Sequence, residues 1–246
     1  MQAEYQSPES RIATIEGSYS YTESVSRSLG RPQRTNRAPS EFFRYKVIKR
    51  ACDVLFVLLL TPLILLTLGA VSAVVVLSSP GPVFYSHRRI RKGGSFFSMW
   101  KFRTMCVNSV EVLEDYLAQH PEAHAEWNET HKLRKDPRIT PLGAFLRRYS
   151  LDELPQLWNV LMGQMSLVGP RPIVAAEVEK YGDCFDCYCR VKPGLTGLWQ
   201  VSGRSELSYE ARVALDCEYV ERWSLTKDLL ILLRTFSSVV NQDGAY

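Results

Sequence analysis

The chain has 246 residues, 46% of them hydrophobic, enough for one catalytic-sized domain with a core and some appendages. Its formal net charge of +4 is unevenly spread: residues 41–92 carry 8 Lys/Arg against 2 Asp/Glu, and residues 93–246 carry 17 against 20. A basic excess confined to the flanks of the most apolar segment suits an anionic membrane surface and argues against nucleic acid as a partner.

Residues 1–40 are rich in Ser, Thr, Arg and Gln and lack apolar periodicity, so they read as a disordered tail. They contain no signal peptide, which places the expected catalytic part in the reducing cytoplasm. The next segment, residues 41–80, holds 27 residues from Ala51 to Leu77 in which Asp53 is the only charge. A straight helix of that length reaches about 40 Å, against roughly 30 Å for a bilayer core, so a spanning anchor is the simplest reading. Two features oppose it. Thr61-Pro62 falls near the middle, where proline removes a backbone donor and kinks a helix. Arg44, Lys46, Lys49 and Arg50 precede the segment and Arg88, Arg89, Arg91 and Lys92 follow it, so both ends prefer the cytoplasmic side. A kinked helix that enters and leaves one leaflet satisfies both, and Asp53 is expected near the headgroups beside Lys49 or Arg50.

Residues 81–246 read as an α+β catalytic domain, mostly helical with short strands. Pro82 to Ser86 and Phe96 to Met105 are predicted strands joined by a Gly93-Gly94 turn. Helical spacing over 109–131 is broken at Pro121, and DPRITPLGAFLRRYS predicts a second helix. Cys184, Cys187 and Cys189 form a lone C-x-x-C-x-C without a second cluster, which favours reduced packing cysteines over structural zinc. Leu225 to Val240 is apolar but interrupted by Lys227, Asp228 and Arg234, which makes it a core helix or one lying on the membrane.

The stretch SLDELPQLWNVLMGQMSLVGPRP, from Ser150 to Pro172, holds the strongest chemical signal. Ser150 to Glu153 fits an S-x-x-E capping box, but Pro155 would then fall inside the helix and remove a needed hydrogen bond. The helix is therefore expected to begin at Asp152 or later, with both carboxylates at its N-terminus. Cationic partners are plentiful: Arg147 and Arg148 one turn earlier, Arg171 between two prolines, Arg204 at the end of VKPGLTGLWQVSGR, and Lys101 and Arg103 in WKFRTM. Guanidinium forks suit phosphate oxygens, glycines let backbone approach a phosphate, and Mg²⁺ binds through one or two carboxylates plus substrate phosphates. Together these predict a phosphoryl-group site.

KR-x-x-D before a Pro-interrupted apolar helix, GPVFYSHRRI, KFRTM, SLDELPQLWNVL, MSLVGPRP and KPGLTGLWQVSGR occur in that order. Over residues 44–246 this set resembles the bacterial sugar transferase family, the monotopic polyprenyl-phosphate phosphoglycosyl transferases. Within the family it looks most like the enzymes that start exopolysaccharide synthesis from UDP-galactose or UDP-glucose. The resemblance implies transfer of a sugar 1-phosphate from the UDP-sugar to undecaprenyl phosphate, with release of UMP, at the cytoplasmic face of the bacterial inner membrane. It implies Asp152 as nucleophile, Glu153 as metal or proton partner, Mg²⁺ held at Asp152 and Glu153, and Arg147, Arg171 and Arg204 on phosphates. It also implies that the apolar helix is re-entrant, with Thr61 standing where the family usually has Ser before Pro62. Alternatives are a glycosyltransferase that releases UDP and a membrane-tethered scaffold. Galactose and glucose are not distinguished by any motif, and a homodimer is left open.

Overall fold

The computed structural model describes residues 45–130, 133–203 and 207–241. The predicted tail at 1–40, Arg44 and Arg204 lie outside the described residues. A π-helical turn, Tyr45–Lys49, leads into α1 (Arg50–Ser78). β1 (Phe84–Ile90) and β2 (Phe96–Phe102) follow, then α2 (Ser109–Gln119), α3 (Pro121–Thr130), α4 (Pro141–Arg148) and α5 (Gln156–Leu161). The chain continues through β3 (Ser166–Val168), α6 (Val178–Tyr181), α7 (Phe185–Cys189), β4 (Gly194–Thr196), α8 (Tyr209–Glu221) and α9 (Leu225–Asn241). The result is mostly helical with a few short strands, as the α+β expectation had it.

The predicted hairpin forms. β1 and β2 pair antiparallel from Phe84 opposite Phe102 to Ile90 opposite Phe96, and the first strand runs on past Ser86 to Ile90. In β2, Phe97 and Met99 are buried while Ser98 and Trp100 face outward, the two-residue period of a half-buried strand, and Phe102 at its end breaks the period by packing into a separate cluster with Val75 and Leu146. The free edge of β2 is completed by a side chain. Asn159 in α5, fully buried, accepts from Trp100 N at 3.1 Å and donates to Ser98 O at 2.8 Å. That bond pair stands in for a third strand and fixes α5 on the hairpin.

A second, parallel pair, β3 with β4, sits in the main core with Val160, Met165, Leu167, Val168, Val191, Tyr219 and Ile231. Gly169 and Gly194 are required here: a Cβ on Gly194 would strike Gly169 N, and one on Gly169 would strike Lys192 O. These glycines bring backbone against backbone. The bonds Gly169 N to Thr196 O (2.9 Å) and Gly194 N to Pro170 O (2.8 Å) close the joint. Cys187 packs into this core and Cys189 into a neighbouring cluster around Tyr181, Phe185 and Tyr188, which is the packing role expected of them.

Among the described residues one helix is long and apolar enough to cross a membrane, and it contains α1. Pro62 lies inside it, and Thr61 Oγ1 donates to Val57 O at 2.9 Å. That carbonyl is one residue before the Leu58 carbonyl that Pro62 deprives of its amide partner, so the Thr61 bond does not repair the gap left by the proline. A stripe of Val57, Ile64, Leu68, Val71 and Val75 rests on the domain along most of α1, while Leu55, Leu58, Leu59, Leu63, Leu65, Leu66 and Leu77 are exposed.

The charges around α1 are not where the sequence put them. Asp53 is buried against β3, accepting from Ser166 Oγ and Leu167 N at 3.1 Å each. Lys49 donates to Asp228 at 2.7 Å, and Arg50 caps the carbonyls of Val160 and Leu161 at the end of α5. Asp228 also accepts from Tyr219 OH at 2.8 Å and Trp223 Nε1 at 2.9 Å. Lys49, read as basic membrane flank, and Asp228, read as an interruption of α9, therefore tie the start of the apolar helix to α9, and Arg50 ties it to α5. Asp228→Ala leaves the Lys49 ammonium buried without its counter-ion and should cost about 3–5 kcal/mol, read as a lowered unfolding midpoint of the purified protein.

Candidate active site

α4 begins with Thr140 as its cap, whose Oγ1 accepts from Gly143 N at 2.9 Å, and with Pro141 in the first turn. Gly143 lies so close to Thr104 that a Cβ would collide with the Thr104 carbonyl. This contact sets the helix on the end of the hairpin, and Arg147 Nε donates to Thr104 Oγ1 at 2.9 Å. The helix then stops at Ser150, the only non-glycine residue with positive φ among the described residues (φ 54°). A left-handed serine costs of the order of 1 kcal/mol. Here it reverses the chain between α4 and a 3₁₀ turn, Leu151–Glu153.

The capping box does not form. Ser150 makes no side-chain cap bond, and α5 starts only at Gln156. The expectation that the helix begins at Asp152 or later holds, but the carboxylates sit in the turn before it rather than on its first residues. Leu154 and Pro155 carry the turn into α5 in right-handed conformation. Capping is thus excluded as the reason for the Asp-Glu pair.

Lys101, on β2, stands over both carboxylates. Its Nζ is 2.7 Å from Glu153 Oε1 and 3.5 Å from Asp152 Oδ2. Asp152 is 7% exposed. Burial raises its pKa above the usual carboxylate range, and Lys101 then pulls against that shift while Glu153 adds to it. Burial would raise Glu153 as well, but Lys101, the charge of Arg171 and a hydrogen bond from Gln156 outweigh it and hold the group below its usual range. The two neighbours are thereby pushed in opposite directions, the mark of carboxylates with different tasks.

Two guanidiniums act on the pair, Arg147 on Asp152 and Arg171 on Glu153. The Gly169–Gly194 joint holds Pro170-Arg171-Pro172, with Arg171 exposed and its guanidinium 5.8 Å from the Trp199 ring centroid. Behind it, Asp216 is buried with Tyr181 OH donating to it at 2.7 Å. Burial pushes Asp216 up to about 7 against the pull of Tyr181 and Arg171. Sequence reasoning missed Asp216, Asn159 and Trp199, because each acts by holding a neighbour that is remote in sequence.

Of the predicted site residues, Asp152, Glu153, Lys101, Arg147 and Arg171 converge. Arg103 does not. Its guanidinium donates to Ser79 O and Pro80 O at 2.8 Å each and to Ser79 Oγ at 2.9 Å, closing the exit of α1. Beside the turn, an apolar cavity of about 230 Å³ is lined by Leu151, Leu154 and Leu157 and by Phe56, Leu60, Leu63, Ile64 and Thr67 of α1. The turn that carries the carboxylates thus lies against the long apolar helix α1.

A family model described as bacterial sugar transferase matches residues 44–242. The chain is 50% identical over 201 residues to the UDP-galactose-lipid carrier transferase of Erwinia amylovora, a match covering 82% of this chain and 42% of that protein. It is 46% identical over 207 residues to the undecaprenyl-phosphate galactose phosphotransferase of Salmonella typhimurium, covering 84% of this chain and 42% of that one. Against the exopolysaccharide production protein ExoY of Rhizobium meliloti it is 50% identical over 202 residues, 80% of this chain and 88% of that one. The chain therefore spans less than half the length of the first two and most of the third.

Proposed function

Because the chain belongs to the bacterial sugar transferase family, we propose that it moves a hexose 1-phosphate, of galactose or glucose, from a UDP-sugar to undecaprenyl phosphate. UMP is released, and the step starts exopolysaccharide synthesis at the cytoplasmic face of the inner membrane. The names of the relatives support the substrates. The observation that carries the chemistry is the Asp152–Glu153 pair under Lys101, flanked by Arg147 and Arg171.

An oxygen of Asp152 attacks the phosphorus that bears the sugar. The bond from that phosphorus to the bridging oxygen breaks, and UMP leaves with the oxygen and its electron pair. An oxygen of the acceptor phosphate then attacks the same phosphorus, the bond to Asp152 breaks, and the carboxylate is restored. Glu153, kept ionised by its neighbours, anchors Lys101 beside the reacting phosphate. Arg147 and Arg171 offset phosphate charge in both steps.

Magnesium fits as an ion that arrives with substrate. No group of three or more His, Cys, Asp or Glu that could hold a metal occurs among the described residues. Asp152 and Glu153 do supply the one or two carboxylates that Mg²⁺ uses beside phosphate oxygens. When bound there it would neutralise the diphosphate.

The re-entrant reading of α1 rests on its two ends. Lys49, Arg50 and Asp53 tie the start to α9, α5 and β3, while Val75 packs on Phe102 and Leu146, and Arg103 grips Ser79 and Pro80. A 29-residue helix is about 43 Å long. With both ends on one folded body, a bilayer cannot separate them unless that body also lies on both sides. Exposed Leu229, Leu230, Leu233 and Phe236 on α9 extend the apolar face beyond α1.

Full-length protein in nanodiscs, given undecaprenyl phosphate, Mg²⁺ and a panel of UDP-sugars, should release UMP in step with a lipid-linked diphosphosugar. EDTA should stop the reaction and excess Mg²⁺ restore it. UDP as the sole nucleotide product would exclude the proposed chemistry.

A further inference from the structure

β1 ends in Arg88-Arg89-Ile90, a stretch that sequence reading assigned to the membrane flank. Ile90 N donates to Ile173 O at 2.9 Å, which sets the end of β1 against the chain just after Pro170-Arg171-Pro172. Arg89 Nη1 donates to Pro172 O at 3.3 Å, the carbonyl next after Arg171. Its Nη2 lies 3.4 Å from His87 Nδ1. Burial, then Arg89 and Lys101, lower the pKa of His87, so the ring is neutral near pH 7 and its Nδ1 can accept.

The Arg89 side chain is 15% exposed, and its buried Nε has no hydrogen-bond partner. The carboxylate beside it neutralises it weakly: Glu177 Oε2 is 3.5 Å away and already accepts from Val174 N at 2.9 Å. Burial and the charge of Arg171 both work against the Arg89 cation. Arg171 thus has Glu153 and Asp216 to answer its charge, while Arg89, beside the same turn, has Glu177 at 3.5 Å as its ion pair. A phosphate would relieve both the repulsion and the unsatisfied donor.

We propose that Arg89 is a second phosphate-binding guanidinium, gripping substrate phosphate oxygens together with Arg171 on the Glu153 side of the carboxylate pair. The assignment rests on the phosphoryl-transfer reading of the site. The phosphate is that of the UDP-sugar or that of the lipid acceptor, and separate measurements distinguish them.

Full-length wild-type, R89Q, R89K and E177Q proteins in nanodiscs are titrated calorimetrically with UDP and with uridine, and the KM for undecaprenyl phosphate is measured for each. R89Q should weaken UDP binding by roughly tenfold to a hundredfold, with uridine binding and the unfolding midpoint unchanged. R89K should recover part of the loss, since it keeps the charge but not the fork. E177Q, which keeps an acceptor for Val174 N and removes the competing charge, should bind UDP equally or more tightly. Unchanged UDP binding with a comparable rise in the acceptor KM would assign Arg89 to the lipid phosphate. R89Q matching wild type in both measurements overturns the proposal, and if R89Q does not fold, weaker UDP binding by E177Q does so. Wild-type protein that neither binds UDP nor releases UMP would instead overturn the underlying reading, an outcome seen without any variant.

Discussion

Asp152→Asn is expected to reduce UMP release by about 10⁴-fold or more, because the amide keeps the shape of the side chain and removes the proposed nucleophile. The same change should leave the fold as stable as before or slightly more so near neutral pH. Burial is the largest influence on Asp152 and raises its pKa. For a carboxylate, a folded-state pKa above the unfolded value means that the fold favours the neutral form, and that contribution is lost as pH rises through the folded pKa. A neutral isostere retains it. Loss of activity without loss of stability separates a catalytic role from a structural one, and a scaffold would lose neither. A second readout uses donor labelled in the sugar, incubated without acceptor. Label should remain on wild-type protein after denaturation and be absent from Asp152→Asn. Retention of label by the Asn variant would place the covalent step elsewhere.

Lys101→Met should lower kcat/KM by about 10²–10³-fold and move the acid limb of its pH profile to higher pH. The direction follows from the geometry. Nζ lies within 3.5 Å of Asp152 and 2.7 Å of Glu153, and in both cases it lowers the carboxylate pKa. Without it, Asp152, already raised by burial, rises further, and the attacking carboxylate is present only at higher pH. Part of the lost rate should therefore return on raising the pH, which a misfolded site would not allow. An acid limb that does not move would show that Asp152 ionisation does not control the rate.

Much of the site could be read before any coordinates. The clash between Pro155 and a capping box counts against capping in the sequence, since proline inside a helix removes a donor, and the absence of any cap bond from Ser150 completes the rejection. The hairpin was visible in the alternation of Phe96 to Phe102 and in Gly93-Gly94. α4 was visible in the apolar spacing of PLGAFLRR. The paired strands β3 and β4 were not, because each is only three residues long, too short for an alternation to be detected.

Charge was the least legible feature. Arg103 and Arg171 both occur in short motifs beside apolar residues, yet one closes the exit of α1 and the other faces the carboxylates. Lys49, Arg50 and Arg89 all read as membrane flank, yet Lys49 meets Asp228, Arg50 caps α5, and Arg89 lies against Pro172. A long cationic side chain reaches 6 Å or so in any direction, so its partner is chosen by whatever the fold brings near. Local order cannot encode that choice.

By itself, then, the sequence determined the apolar helix with its proline, the carboxylate pair, the hairpin and the residue types a phosphate site needs. These depend on local periodicity, on the fixed φ of proline and on side-chain chemistry, all properties of neighbours along the chain. The tertiary structure alone decided which cation meets which carboxylate, that Asp53 is buried against β3, and that both ends of α1 rest on one body. Those outcomes depend on contacts between residues as far apart as Lys49 and Asp228, and their energies exist only once packing has excluded water from between them.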